Sequence, residues 1–161
     1  MLVMIRKMME LDLKQVQHVA RKSWHDTYEG IIPREVQDQF LDQAYSDENM
    51  RRRLEHGGVW VAEADGVVTG FANFSPVNRD GQAVLAAIYL LPESQGHGIG
   101  TKLLNAGLEG LTGLRQLYVE VEKDNQKGLK FYEARGFEVV EEYDDEFAGH
   151  ILKTLKMVKK V

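Results

Sequence analysis

Between Val84 and Leu111 the chain passes from an uncharged apolar run, through a turn built on alternate glycines, into a helical pattern. Val84 to Leu91 carries no charged side chain, which predicts a strand covered on both faces. Pro92 ends it, and Gly96, Gly98 and Gly100 remove side chains where the next helix must begin. Bare backbone at a helix start leaves N–H groups pointing outward, and the helix dipole favours a negative partner there. Strand, bare turn and helix N-terminus are together the ingredients of a phosphate cradle.

Spacing chooses among such cradles. A P-loop requires a glycine, four residues, then Gly-Lys-Ser/Thr; here Gly100-Thr101-Lys102 follows too short a loop, and no Ser or Thr follows the lysine. A dinucleotide fingerprint requires G-x-G-x-x-G in the first strand–helix turn; the order here is G-x-G-x-G, past the middle of the chain. What fits is Gln-x-x-Gly-x-Gly at Gln95, Gly98 and Gly100, after a strand ending in Leu-Pro. This resembles the pyrophosphate-binding motif of the GCN5-related N-acetyltransferases (GNAT), which hold acetyl-coenzyme A.

The remaining sequence narrows the class. A chain of 161 residues is long enough for one domain with a real core, so residues 1–161 are expected to form a single domain, which the resemblance implies is an N-acetyltransferase domain. There are no cysteines, which excludes disulfides, thiolate metal sites and cysteine nucleophiles. His18, His25, His56 and His150 lack metal-ligand spacing, so no metal is expected. No apolar run approaches a membrane span or a signal peptide, which makes the cytoplasm the expected location. A net charge of −5 argues against nucleic acid as a partner and is compatible with a cationic substrate.

In chain order, Leu2 to Lys7 predicts a first strand. Asp12 stands as the N-cap of a helix through Tyr28, with Val16, Val19, Ala20 and Trp24 at helical spacing and Gly30 at its end. Pro33 starts a second helix with Val36 and Phe40 as its apolar stripe, and Asp47 caps a third that turns Met50 and Leu54 inward. Val59 to Ala64, Asp65-Gly66 and Val67 to Ser75 read as a hairpin. The helix after the glycine turn buries Leu103, Leu104, Leu108 and Leu111, and Leu117 to Glu122 is the next strand. Asn125 caps a helix that stops at Gly136. Phe137 to Asp144 and His150 to Val158 form a closing pair around the acidic turn Asp144-Asp145-Glu146. The resemblance implies an α/β fold with a mixed, mostly antiparallel central sheet, flanking helices and splayed central strands.

A second segment, Asn125-x-x-Gly-Leu-x-Phe-Tyr-Glu-x-x-Gly-Phe, is similar to another hallmark of the family, with Gly128 in place of the common alanine. The two motifs lie in family order, and the likeness covers roughly residues 83–140. It implies acetyl-CoA as cosubstrate. The coenzyme would be held by backbone from Ile88, Tyr89 and Leu90, by Gln95, Gly96, His97, Gly98, Ile99, Gly100 and Thr101, and by Asn125, Phe131 and Tyr132. His97 stands where the family often has Lys or Arg, which implies a weaker phosphate contact. Tyr132 matches the tyrosine that protonates the departing thiolate; the plain alternative is a packed aromatic beside Phe131.

Many relatives carry a glutamate base on the central strand, but this chain has Ala86 and Ala87 there. On the next strand Tyr118, Glu120 and Glu122 share one face. Glu120 with Asn125 is similar to the pattern of ribosomal-protein alanine N-acetyltransferases, which makes Glu120 the candidate base; an exposed structural carboxylate is the alternative. Ser23 to Pro33 looks like a junction of bacterial acetyltransferases related to polyamine acetylases, implying that Trp24, Tyr28 and Glu29 bind the substrate, unless the two aromatics simply pack onto the sheet. Tyr143 to Phe147 would form the opposite rim. The expected function is transfer of acetyl to a primary amine of a small molecule, a polyamine among the candidates, by direct attack in a ternary complex. A peptide or protein N-terminal acetyltransferase and a non-catalytic CoA-binding regulatory module are the alternatives, and the oligomeric state stays open between monomer and homodimer.

Overall fold

Hydrophobic spacing switches at Val59 from a helical to a two-residue period, and the elements follow that switch. The structure, a computed structural model, describes residues 2–161. After β1 (Val3–Lys7) come α1 (Leu13–Tyr28), α2 (Arg34–Ala44) and α3 (Asp47–His56). Then follow β2 (Val59–Ala64), β3 (Val67–Phe74), β4 (Gln82–Leu90), α4 (Ile99–Gly110), β5 (Gln116–Glu122), α5 (Gln126–Ala134), β6 (Glu138–Phe147) and β7 (His150–Lys160). The strands are hydrogen-bonded in the order β1-β2-β3-β4-β5-β7-β6. β4 and β5 run parallel while β1–β2, β2–β3, β5–β7 and β6–β7 are antiparallel, so the sheet is mixed and mostly antiparallel, as expected. Among the described residues no helix is long and apolar enough to cross a membrane.

The chain divides into two compact units, one comprising residues up to Phe74 with Ala87–Leu111, the other Ser75–Ala86 with Thr112–Val161. In the first, α1 and α4 pack on β3, and Val16, Val19, Met50, Val61, Phe71, Leu103 and Leu104 are almost wholly buried. Asp65 (φ 52°) and Gly66 (φ 81°) make the tight turn of the β2–β3 hairpin, the left-handed pair such a loop demands. In the second unit Leu117, Val119, Val121 and Met157 form the core. The α5 terminus is tied to β7 there, where the Lys159 ammonium donates to the Arg135 carbonyl at 2.6 Å.

Several sequence expectations need correction. Asp12 does not cap α1; its buried carboxylate instead accepts two bonds from the Arg6 guanidinium (2.8 and 3.0 Å) and one from the Met9 amide (2.7 Å). Ser46, not Asp47, caps α3, its hydroxyl accepting from the Asn49 amide. The α2 stripe is shifted by one residue: Gln37 and Leu41 are buried, while Val36 and Phe40 are half-buried, as are Leu54 on α3 and Leu108 and Leu111 near the end of α4. β4 is not covered on both faces throughout, because Ala83, Leu85 and Ala87 are buried while Val84 and Ala86 are exposed. Absence of charge is a weaker signal than alternation. Finally, Asp144-Asp145-Glu146 is strand, not turn; β6 continues to Phe147, and Ala148 (φ 48°) with Gly149 (φ 83°) turns the chain. Lys153 across the ladder neutralises Asp144 at 2.9 Å, which lets an acidic run remain paired.

Candidate active site

In the first unit, β4 ends where Leu91 donates its amide to the Thr69 carbonyl at 2.8 Å. Its last residues press on β3: a Cβ on Gly70 would stand 2.2 Å from Leu90 Cδ2 and 3.0 Å from the Tyr89 carbonyl oxygen. The Tyr89 ring lies 5.8 Å from that of Phe71. Beyond a short helical turn at Pro92–Ser94, Gly96 (φ 82°) and Gly98 (φ 79°) take left-handed backbone, and a Cβ at either would meet no protein atom within 4 Å. These two glycines are therefore required by conformation, and the side a side chain would occupy is left clear. The Lys102 amide returns to the Gly98 carbonyl at 3.2 Å, closing the first turn of α4. Helical geometry gives the amides of Ile99 and Gly100 no carbonyl within their own helix. Ile99 and Gly100 are buried, Gln95 is half-buried, and His97 stands exposed on the loop. Bare left-handed backbone running into the positive end of a twelve-residue helix fits a diphosphate.

The helix pair in the same unit carries the expected acceptor residues. Trp24 and Tyr28 are buried, with ring centroids 4.4 Å apart, and Trp24 stacks on Phe40 at 4.6 Å. Glu29 is exposed and paired with Arg34 at 3.0 Å. Gln37, which the sequence reading passed over, is 1% exposed and donates its amide to the carbonyls of Tyr28 (3.2 Å) and Ile32 (2.8 Å). It fixes the turn between the two helices. A polar residue three after Arg34 in a helix carries no sequence signal for that role.

In the second unit the alternation on β5 is as expected: Leu117, Val119 and Val121 are buried, and Tyr118, Glu120 and Glu122 take the other face. The β4–β5 ladder holds at Gln82–Gln116, Ala83–Leu117 and Val84–Tyr118, although β4 continues to Leu90 and β5 to Glu122. Glu120 is exposed, and the Tyr143 hydroxyl lies near enough to its carboxylate for the charge to act on it. Asn125 caps α5, accepting from the Gly128 amide at 3.0 Å. A Cβ on Gly128 would come within 2.7 Å of the Asn125 side-chain amide, so glycine leaves the cap room that an alanine would take.

Tyr132 is buried on α5, its ring 5.4 Å from both Phe131 and Phe137. Burial, and secondarily the Glu122 charge, push its hydroxyl above the ordinary tyrosine range, which keeps the proton on it at neutral pH. Arg135 lies over the Phe131 ring at 3.9 Å and bonds the Phe131 carbonyl at 3.0 Å. Among the described residues no group of His, Asp and Glu is arranged to hold a metal ion. Taken unit by unit, the first offers bare backbone at a helix N-terminus to an anionic group, and the second offers an exposed carboxylate at Glu120 and a protonated buried phenol at Tyr132.

Comparison with known proteins identifies the family. Residues 17–137 match the family model described as the acetyltransferase (GNAT) family. An uncharacterised N-acetyltransferase of Bacillus subtilis, YuaI, is 35% identical over 94% of this chain and 90% of its own. A spermidine N(1)-acetyltransferase of Thermoplasma acidophilum is 29% identical over 86% of this chain and 90% of its own. Among solved structures, the PaiA N-acetyltransferase of Thermoplasma acidophilum in complex with coenzyme A superposes with a TM-score of 0.86 at 28% identity, covering both chains fully.

Proposed function

Because the chain belongs to the acetyltransferase (GNAT) family, and is thereby an N-acetyltransferase drawing on acetyl-CoA, we propose that its acceptor is a primary amine of a small molecule, of the polyamine kind. The observation that carries the coenzyme half of this reading is the left-handed, side-chain-free backbone at Gly96 and Gly98 running into α4. The acceptor half is supported by the likeness to a spermidine acetyltransferase and by the net charge of −5. Residues 1–161 would serve as one catalytic domain.

The coenzyme's diphosphate would be held by backbone amides from Gln95 to Thr101, and its pantetheine arm by the backbone of Ile88, Tyr89 and Leu90, with Asn125, Phe131 and Tyr132 completing the site. Acetyl-CoA supplies an acetyl group activated as a thioester. Glu120 takes a proton from the acceptor ammonium, directly or through a water, so that a neutral amine attacks the carbonyl carbon. The backbone amide near Leu90 donates to the carbonyl oxygen as charge develops on it. The Tyr132 hydroxyl gives its proton to the departing thiolate, and the second proton shed by the nitrogen as the amide forms restores that hydroxyl through solvent. Trp24, Tyr28 and Glu29 border the acceptor in this reading. One bond forms, nitrogen to carbon, and one breaks, carbon to sulfur; no covalent enzyme intermediate is required.

The test is release of free thiol from acetyl-CoA across a panel of spermidine, diamines, amino acids and peptides. We expect fastest release with the polyamine. Faster release with peptides would favour the N-terminal reading that the Glu120 and Asn125 pattern supports, and coenzyme binding without turnover on any acceptor would favour a regulatory module.

A further inference from the structure

Edge strand β6 is exposed along nearly its whole length and carries Glu138, Glu141, Glu142, Asp144, Asp145 and Glu146. Inside that run Tyr143 alone is drawn in to half-burial. The register explains why. β6 pairs with β7 at Val139–Met157, then slips by one residue, so that Val140 has no rung and Glu141 pairs with Lys156. Without that bulge Tyr143 would stand opposite Lys153 and point to the other face; with it, Tyr143 stands opposite Thr154. Thr154 in turn faces Glu122 across the β5–β7 ladder, and Lys156 faces Glu120. Tyr143 therefore shares a face with Glu120, one diagonal step away across two strands. Thr154, small and buried between them, leaves the row low enough for the phenol to reach over it. Two strand spacings of about 4.8 Å separate β5 from β6, so the two side chains meet only if both lean over β7, which takes a residue as long as tyrosine on one side and glutamate on the other. Lys156, directly across from Glu120, lays its ammonium over the Tyr118 ring instead, at 4.9 Å.

We infer that the β6 bulge exists to aim Tyr143 at Glu120, and that Tyr143 is a positioning residue that holds the carboxylate of the base in one orientation through its hydroxyl. The inference rests on the reading of Glu120 as proton acceptor. An exposed glutamate on a strand samples several rotamers, and only some of them present an oxygen to an incoming ammonium. A single phenolic donor removes that freedom while leaving the second oxygen available. Tyr143 is suited to the task because burial first, and then the neighbouring Glu120 carboxylate, hold its own proton in place well past neutral pH.

The experiment is a double-mutant cycle on steady-state acetyl transfer to spermidine, using Tyr143→Phe, Glu120→Gln and the pair. Tyr143→Phe keeps the ring and removes only the hydroxyl. We expect it to lower kcat about tenfold, with KM for acetyl-CoA within about twofold, and to change kcat less than about twofold on the Glu120→Gln background. A purely structural tyrosine would lower the rate by the same factor on both backgrounds, and that result overturns the inference. An unchanged kcat in Tyr143→Phe, with kcat falling in Glu120→Gln, overturns it too and leaves the base assignment standing. An unchanged kcat in Glu120→Gln removes the base assignment and the inference together. Should Tyr143→Phe fold poorly, Glu120→Asp carries the test. Its carboxylate is withdrawn by one methylene, so kcat should fall as far as in Tyr143→Phe; full activity in Glu120→Asp overturns the inference.

Discussion

Two glycines separate the backbone requirement of the turn from its role in binding. Gly98 sits at φ 79° and Gly113 at φ 78°, and a Cβ on either meets no protein atom within 4 Å. Alanine at each position thus incurs the same penalty, the left-handed conformation itself, about 1–2 kcal/mol, with no added clash. For a chain of this size that lowers Tm by roughly 2–8 °C, and we expect the two variants to melt alike. Coenzyme binding should split them. Gly98 lies where a diphosphate would meet bare backbone, so a methyl there should raise Kd for coenzyme A by at least about tenfold beyond the stability effect, whereas Gly113→Ala should leave it unchanged. Calorimetric titration of both variants, beside thermal melts, gives the comparison. Equal Kd values in Gly98→Ala and Gly113→Ala would refute the assignment of this turn as the coenzyme cradle.

Tyr132→Phe keeps the ring contacts with Phe131 and Phe137, so melting should barely change while kcat falls about a hundredfold, with KM for acetyl-CoA little altered. Because the Tyr132 hydroxyl is held above the ordinary tyrosine range, the wild-type rate should show no loss from its deprotonation up to about pH 10 in a pH–rate profile. Gly107→Ala would bring a Cβ within 2.1 Å of the Phe74 ring, an overpacking expected to cost about 1–3 kcal/mol in urea denaturation. Arg6→Met leaves the buried Asp12 carboxylate without its cationic partner and should lose about 3 kcal/mol at pH 7. The Arg6 hydrogen bonds, foremost, hold Asp12 below the usual carboxylate value in the folded state. Its stabilisation is therefore complete above about pH 4 and lost as pH falls through the depressed value, so urea midpoints of wild type and variant should converge in acid.

Local chemistry made much of this molecule readable. The β2–β3 hairpin announced itself because Asp65-Gly66 is the dipeptide a two-residue loop needs, and the α5 cap because an asparagine just before a helical stretch readily accepts from the amide three residues on. Where tertiary partners decide, the sequence was mute or misleading. Asp12 looks like a cap until Arg6 reaches it from the first strand, and Gln37 looks like a surface residue until the turn carbonyls of Tyr28 and Ile32 claim it. The acidic tripeptide of β6 reads as a turn because the lysine that pairs with it is nine residues away. That misplaced turn also hid the shared face of Tyr143 and Glu120, since the face a strand residue takes depends on register, and register here depends on a bulge with no marker residue. Trp24 and Tyr28 proved buried, Trp24 against both Tyr28 and Phe40, an arrangement that aromatic spacing alone does not distinguish from a pocket wall.

The measurement that bears most directly on the whole is a pair of calorimetric titrations of the wild-type chain, one with coenzyme A and one with 4′-phosphopantetheine, which lacks the diphosphate linkage. We expect coenzyme A to bind and the shorter molecule to bind at least about a hundredfold more weakly, since in the proposed site the turn and helix start take the diphosphate. No heat with coenzyme A, or equal affinity for the two, would contradict the assignment of Gln95 to Thr101 as the diphosphate site.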